Sequence, residues 1–433
     1  MILFFIEIAI MVIAIVWGLK TAGALGCGIF AIVAQLLMIF IFHLPPGEAP
    51  VTAVLIILSI GIAGGTLQAT GGIDYLVYLA SKIIERFPKS IIFIAPFIVF
   101  LFVFGIGTAN IALSLEPIIA KTAMKANIQP KKPLTASILT ANLALLCSPA
   151  ASATAFVISV VATYGITMGH YLSIVLPTAL ISMVLLSVFC TVVGRTKLST
   201  NANLTNLTQQ TDHALKTDFS RRTKIGVLTF LICVACILTF GIFPNLLPTF
   251  HVDGEAVHLK TTDLVQLFMY TSAAINLLLV KIDTKAIFSA NITQSAIGAL
   301  FAVLGPGWLG ATIFNAPHNK HIMEHQVGAI IEQVPWLVIF LVAIVAMVVI
   351  SQTATSSIMV PIVMGLGIPP TFLIAMIQTL NVNFVIPAQP TILFAVDLDE
   401  TRSTKTTSFL APGFFVVTVS VIVGFTMKAL LGL

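Results

Sequence analysis

Four short polar stretches interrupt long apolar runs in this chain: Gly107-Thr108-Ala109-Asn110, residues 148–154, residues 351–357 and residues 387–391. None contains Arg, Lys, His, Asp or Glu. Acid–base or nucleophilic catalysis needs a titratable group or an activator, and a metal site needs His, Cys or carboxylates. The stretches supply neither, which argues against an enzyme. They do supply hydroxyls, side-chain amides and unpaired backbone groups. Helix N-termini at such breaks favour anions through N–H donors and the dipole, and exposed carbonyls favour cations. A site built twice over from such ends suits a small anion with two charged ends. The candidate contacts are Thr108, Ala109, Asn110, Ser148, Ser152, Ser351, Thr353, Thr355, Gln389 and Thr391. An isolated Ser or Thr in a membrane helix commonly bonds only to its own helix. Four breaks at matching positions ask for more.

Titratable groups elsewhere carry weaker signals. Glu116 is the one carboxylate inside the apolar stretch that holds the first break. An acid at membrane depth is a functional hypothesis, here proton coupling, against the plainer reading of a pair with Lys121. His318, His321 and His325 have a helical spacing that could ligate a metal. A solvated or pH-sensitive face is the simpler reading, and no metal or other cofactor is expected. All five cysteines lie in apolar segments, and Cys233-Val-Ala-Cys236 reads as packing. Asp397, Asp399, Glu400 and Arg402 form a charged loop, either simply solvated or a hinge or partner site.

The elements that must position the four breaks follow from composition. Of 433 residues, 58% are hydrophobic and 9% charged, with mean hydropathy +1.09. Soluble domains carry roughly 25% charged residues. The apolar runs are continuous rather than alternating, so the expected fold is an all-α polytopic membrane protein and not a β-barrel. The net charge of +5 sits in short loops. It reads as a topology determinant rather than a nucleic-acid surface. The first apolar run contains Glu7, lacks a basic leader and lacks a small-residue cleavage site, so it reads as a retained helix.

Lys89 and Lys121 bracket a long apolar stretch with basic clusters at both ends. A single span would place one cluster on the outer side, against the positive-inside rule. A re-entrant hairpin, turning at residues 107–110, keeps both inside. Each limb of roughly 15 residues reaches near the midplane of a ~30 Å hydrocarbon core. Non-helical backbone at that depth requires protein or a wet cavity around it. Residues 134–164 then read as a helix broken at the 148–154 stretch.

The second half echoes the first. Phe87-Pro88-Lys89-Ser90-Ile91-Ile92-Phe93 parallels Val334-Pro335-Trp336-Leu337-Val338-Ile339-Phe340. Leu115-Glu116-Pro117-Ile118 parallels Met359-Val360-Pro361-Ile362, and Ser148-Pro149-Ala150 parallels Ile386-Pro387-Ala388. Weak internal symmetry of this kind marks repeat-built transporters. The expected organisation is a first repeat over 1–194 with its hairpin at 90–120, a cytoplasmic linker at 195–224, and a second repeat over 225–433 with its hairpin at 335–364. About ten transmembrane helices and two re-entrant hairpins result. Five spans per repeat make the repeats inverted. Both termini then lie outside, and the basic clusters inside, with Lys320 and Lys428 as exceptions. Residues 287–314 are expected to be interrupted at Gly305-Pro306-Gly307, and residues 251–263 to form an outer loop. The sequons at Asn203 and Asn206 fall in the linker and read as chance.

Gly-Gly-Ile-Asp-Tyr-Leu at 71–76, Gly-Thr-Ala-Asn-Ile-Ala-Leu at 107–113, Ser-Pro-Ala-Ala-Ser-Ala at 148–153, Ser-Gln-Thr-Ala-Thr at 351–355 and Pro-Ala-Gln-Pro-Thr at 387–391 carry a resemblance. In this order they resemble the Dcu family of anaerobic C4-dicarboxylate transporters, A/B branch, nearly end to end. The resemblance implies exchange of fumarate, malate or aspartate for succinate across the bacterial inner membrane. It also implies an elevator-type carrier, a transport domain moving against a scaffold, often as a homodimer. The expected partners are C4-dicarboxylate anions and the lipid bilayer, with a homodimer and a sensor protein as further candidates and no nucleic acid. The competing readings are a sodium- or proton-coupled symporter for another small anion, and a channel-like or sensor membrane protein.

Overall fold

Apolar runs of this length can bury their backbone polar groups only by closing them into helices, and the chain is helical almost throughout. The computed structural model describes residues 2–193, 218–252, 255–323, 333–386 and 388–433. Most of the expected linker, with Asn203 and Asn206, and also Glu324, His325, Glu332 and Pro387, lie outside the described residues.

The first half opens with α1 (Ile2–Phe40), which doubles back at Ala22 and Gly23, where Gly23 takes φ +57°. The two arms cross closely enough that a side chain on Gly18 would meet the Gly26 backbone. Then follow α2 (Val51–Ala69), the amphipathic α3 (Gly72–Arg86), α4 (Ile91–Ile106) and α5 (Ile111–Lys125). Next come α6 (Lys131–Leu145), α7 (Ser152–Val161) and α8 (Met168–Val192).

The second half runs α9 (Arg221–Ile242), α10 (Thr261–Leu279), the short α11 (Thr284–Phe288), α12 (Asn291–Asn315) and α13 (Pro317–Ile322). It continues with α14 (Trp336–Val349), α15 (Gln352–Gly365) and α16 (Pro370–Met376). A 3-10 segment (Ile377–Phe384), α17 (Pro390–Leu398) and α18 (Leu410–Leu430) complete it. Among the described residues, eight helices are long and apolar enough to cross a membrane. The chain is thus an all-α polytopic membrane protein, and α4/α5 and α14/α15 are helix–turn–helix pairs at the two places where hairpins are expected.

The helices fall into two groups. In one, α1 packs along α12, α2 lies between α10 and α12, and α9 lies on α10. In the other, α4 lies on α6, α8 on α18, α14 on the 3-10 segment, α17 on α5 and α7 on α15. The groups meet where α15 crosses α12 and α7 crosses α2. Small residues let backbones approach. Gly61, Gly64 and Gly65 of α2 sit directly against Ala296, Ile292 and Thr293 of α12. Buried polar side chains add specific ties: Gln35 Nε2 donates to Thr312 Oγ1 at 2.6 Å, and Asn319 Nδ2 to Glu7 Oε2 at 2.6 Å.

Two local expectations change. Helix α12 runs unbroken through Gly305-Pro306-Gly307, and the interruption falls at Ser289 and Ala290 instead. A side chain at Gly305 would strike the Gly28 backbone, so the small residue there serves close packing, and the neighbouring helix holds the turn that the proline weakens. The segment between α9 and α10, expected to be an outer loop, contains a two-stranded hairpin, β1 (Thr249–Val252) and β2 (Glu255–His258), in register Val252↔Glu255.

Candidate anion-binding site

The four breaks come together where the two helix groups meet. Hairpin one turns because α4 ends on Gly107 in the left-handed region, φ +78°, its N–H donating to the Val103 carbonyl at 2.7 Å. A Cβ there would collide with the Ala150 carbonyl. The tip therefore lies directly on the backbone of the break between α6 and α7. In hairpin two, α14 ends on Ile350 at φ +63°, and Ser351 Oγ caps α15 by accepting from the Ala354 N–H. A β-branched residue in that region is strained.

A cavity of about 800 Å³ separates these tips from the first helix group. Ligand pockets commonly run to roughly 300–1,000 Å³. Thr108, Ala109, Asn110, Ser152, Ser351, Thr353, Gln389 and Thr391 line it, on the side of the second helix group. The turn at residues 22–25, Ile57, Gly61, Gln294 and Ser295 face them from the first. No ionisable side chain lines it among the described residues. Its charge preference comes from backbone: the opening residues of α5, α7, α15 and α17 border one space. Each helix N-terminus carries partial positive charge and unpaired N–H groups.

Hydrogen bonds at the cavity wall tie the two halves of the chain together and brace the tips. Ser152 and Thr353 hydroxyls meet at 2.7 Å, joining the starts of α7 and α15. Asn142 Nδ2 donates to Gln389 Oε1 at 3.2 Å, joining the two broken helices. Gln352 Nε2 donates to the Asn142 carbonyl at 3.0 Å and also to Asn381 Oδ1. Asn383 Nδ2 donates to the Ile350 carbonyl at 3.1 Å, supporting the strained turn. Asn110 Nδ2 reaches across to Ser295 Oγ at 3.1 Å, linking the first tip to α12.

Two of the ten candidate contacts lie off the cavity. Ser148 is buried, donates to the Phe104 carbonyl at 2.6 Å and accepts from the Ala150 N–H, so it braces the first break. Thr355 is buried and bonds back to the Ser351 carbonyl at 2.8 Å. Asn142, Gln352, Asn383 and Ser295 line the cavity without having been singled out. Asn142 is the one amide of α6, and Asn383 falls in a segment that also carries Gln378 and Asn381; amides inside membrane-class helices are the signal that could have marked them.

Glu116 is buried off the cavity, and neither carboxylate oxygen has a hydrogen-bond partner among the described residues. His318 and His321 are exposed on α13. In the charged loop, Asp397 and Glu400 are exposed, whereas Asp399 is buried. Its carboxylate accepts from the Thr401 N–H and hydroxyl, the Ser403 hydroxyl and the Thr404 N–H at 2.6–3.0 Å. Burial pushes its pKa up, but the hydrogen bonds from Thr401, Ser403 and Thr404 outweigh burial and hold it below the ordinary value.

Residues 3–432 match the family model described as anaerobic C4-dicarboxylate membrane transporter. The chain belongs to this family. It is 29% identical to the C4-dicarboxylate transporter DcuA of Wolinella succinogenes, over 98% of this chain and 99% of that one. It is 27% identical to DcuA of Escherichia coli K12, over 98% of each chain. It is also 27% identical to the anaerobic C4-dicarboxylate transporter DcuB of Escherichia coli O6:H1, over 99% of each. A multi-pass membrane transporter with a cavity between its two helix groups is the common reading of family and structure.

Proposed function

We propose that this protein is a secondary carrier that exchanges C4-dicarboxylates, taking in fumarate, malate or aspartate and releasing succinate, across the bacterial inner membrane. The observation that carries this reading is the convergence of four helix N-termini on one cavity without ionisable side chains. Two pairs of such ends, one pair from each repeat, match the two carboxylates of a four-carbon diacid. The substrate contacts are the eight candidate residues on the wall, with Asn142, Gln352 and Asn383 holding the tips in place. The relatives' names supply the substrate class.

The second helix group, with both hairpins and both broken helices, is the moving transport domain of an elevator, and the group built on α1, α2, α9, α10 and α12 is the scaffold that would carry a homodimer contact. With both termini periplasmic, the Ala22–Gly23 turn lies on the cytoplasmic side. The cavity borders that turn, so this conformation is the inward-facing one. In proteoliposomes loaded with labelled succinate, external fumarate should accelerate efflux of label. Efflux that ignores external fumarate, in vesicles shown to contain folded protein, would reject the exchanger.

A further inference from the structure

The second arm of hairpin one holds an acid that the cavity does not use. Glu116 is fully buried, and among the described residues both carboxylate oxygens lack a hydrogen-bond partner. Its counterpart in the repeat, Val360, is equally buried at 1% exposure and precedes the same in-helix proline. That slot is therefore an apolar plug in hairpin two, so the packing of such an arm does not itself call for an acid. An uncompensated charge is what such surroundings cannot hold.

The helices against α5 offer no compensation. The ionisable groups of α3 (Asp74, Lys82, Glu85, Arg86), together with Lys89 and, on α17, Asp397, are exposed, Tyr75 and Tyr78 of α3 half-buried; α4 carries none. On α6, Lys131 is half-buried, and the buried Lys132 donates its Nζ to the Thr191 carbonyl. On α5 itself Lys121 is half-buried and Lys125 exposed, and neither hydrogen-bonds Glu116.

We propose that Glu116 is a proton-binding site, loaded from the outer side, still occupied in the buried conformation seen here, and discharged to water on the inner side when hairpin one moves and the side chain becomes wetted. This rests on the carrier reading of the adjoining cavity. No covalent bond of the cargo changes; one O–H bond at Glu116 forms on one side of the membrane and breaks on the other. In one-for-one exchange the proton travels both ways and cancels. In net uptake one proton enters with each dianion.

The test uses the purified full-length protein in proteoliposomes with the membrane potential clamped. With one proton per cargo, a gradient of one pH unit, acid outside, should drive about tenfold accumulation of labelled succinate. Glu116→Gln, which keeps shape but cannot release a proton, should retain counterflow at equal pH and lose that accumulation. Glu116→Val should behave likewise, and Glu116→Asp should restore the response. Undiminished accumulation in Glu116→Gln would overturn the proposal, as would a wild type that exchanges normally but ignores the gradient. Failure of Glu116→Val to yield folded protein would make Glu116 structural and overturn it too. Absence of counterflow in the wild type would instead reject the carrier reading itself.

Discussion

The two hairpins solve one geometric problem with different residues. Both arms of each are 14 to 16 residues long, and both tips end the first arm in a left-handed conformation. Hairpin one does so on Gly107, pressed against the Ala150 carbonyl, whereas hairpin two does so on Ile350, held by Asn383. The first tip reaches the opposite helix group through Asn110 and Ser295, and the second is tied back into its own group through Gln352 and Asn142. One arm buries Glu116 and its counterpart buries Val360. The two turns thus share a geometry, while their differences show which tip contacts α12 and which arm carries an acid.

The largest expected effect comes from forcing the two turns to exchange residues. Gly107→Val puts a β-branched side chain at positive φ and into the Ala150 backbone. It should cost roughly 3 kcal/mol and abolish counterflow. Ile350→Gly should be nearly free, because relief of about 1–2 kcal/mol of left-handed strain offsets the lost half-buried side chain. Thermal unfolding in detergent compares the pair, and equal losses would erase the distinction between the turns.

A middle-sized effect is expected at the cavity wall. Asn110→Ala removes an amide and the link to Ser295, and Thr353→Ala removes the partner of Ser152. Each loses an interaction worth about 1 kcal/mol, so the half-saturation concentration for succinate in counterflow should rise roughly fivefold. Unchanged values in both variants would take the tips out of the site.

The smallest effect concerns the loop that closes the second broken helix. The Asp399 pKa is lowered in the fold, so its contribution is present above the unfolded value near ~4 and is lost as pH falls through the lower folded value. Asp399→Asn should therefore lower stability at neutral pH while flattening the loss of stability on acidification below about pH 4, as read by thermal midpoints across pH. A parallel acid profile in variant and wild type would leave Asp399 without that role.

The apolar runs and their polar interruptions were enough to determine the membrane class and where the helices break. Both follow from a one-dimensional constraint: backbone must be hydrogen-bonded in hydrocarbon. Which polar side chains face the cavity was decided only by the tertiary structure. In a break of consecutive small polar residues there is no apolar face to mark the inside, so helix rotation chooses. It turns Ser148 and Thr355 into the packing, and brings Asn142 and Asn383 to the wall from neighbouring helices. The same holds for Gly305-Pro306-Gly307, where contact with Gly28 decides between a break and a close crossing. Glu116 is the clearest division: its place in an apolar stretch was legible in the chain, but that no hydrogen-bond partner among the described residues meets its carboxylate is a property of the helices packed around it.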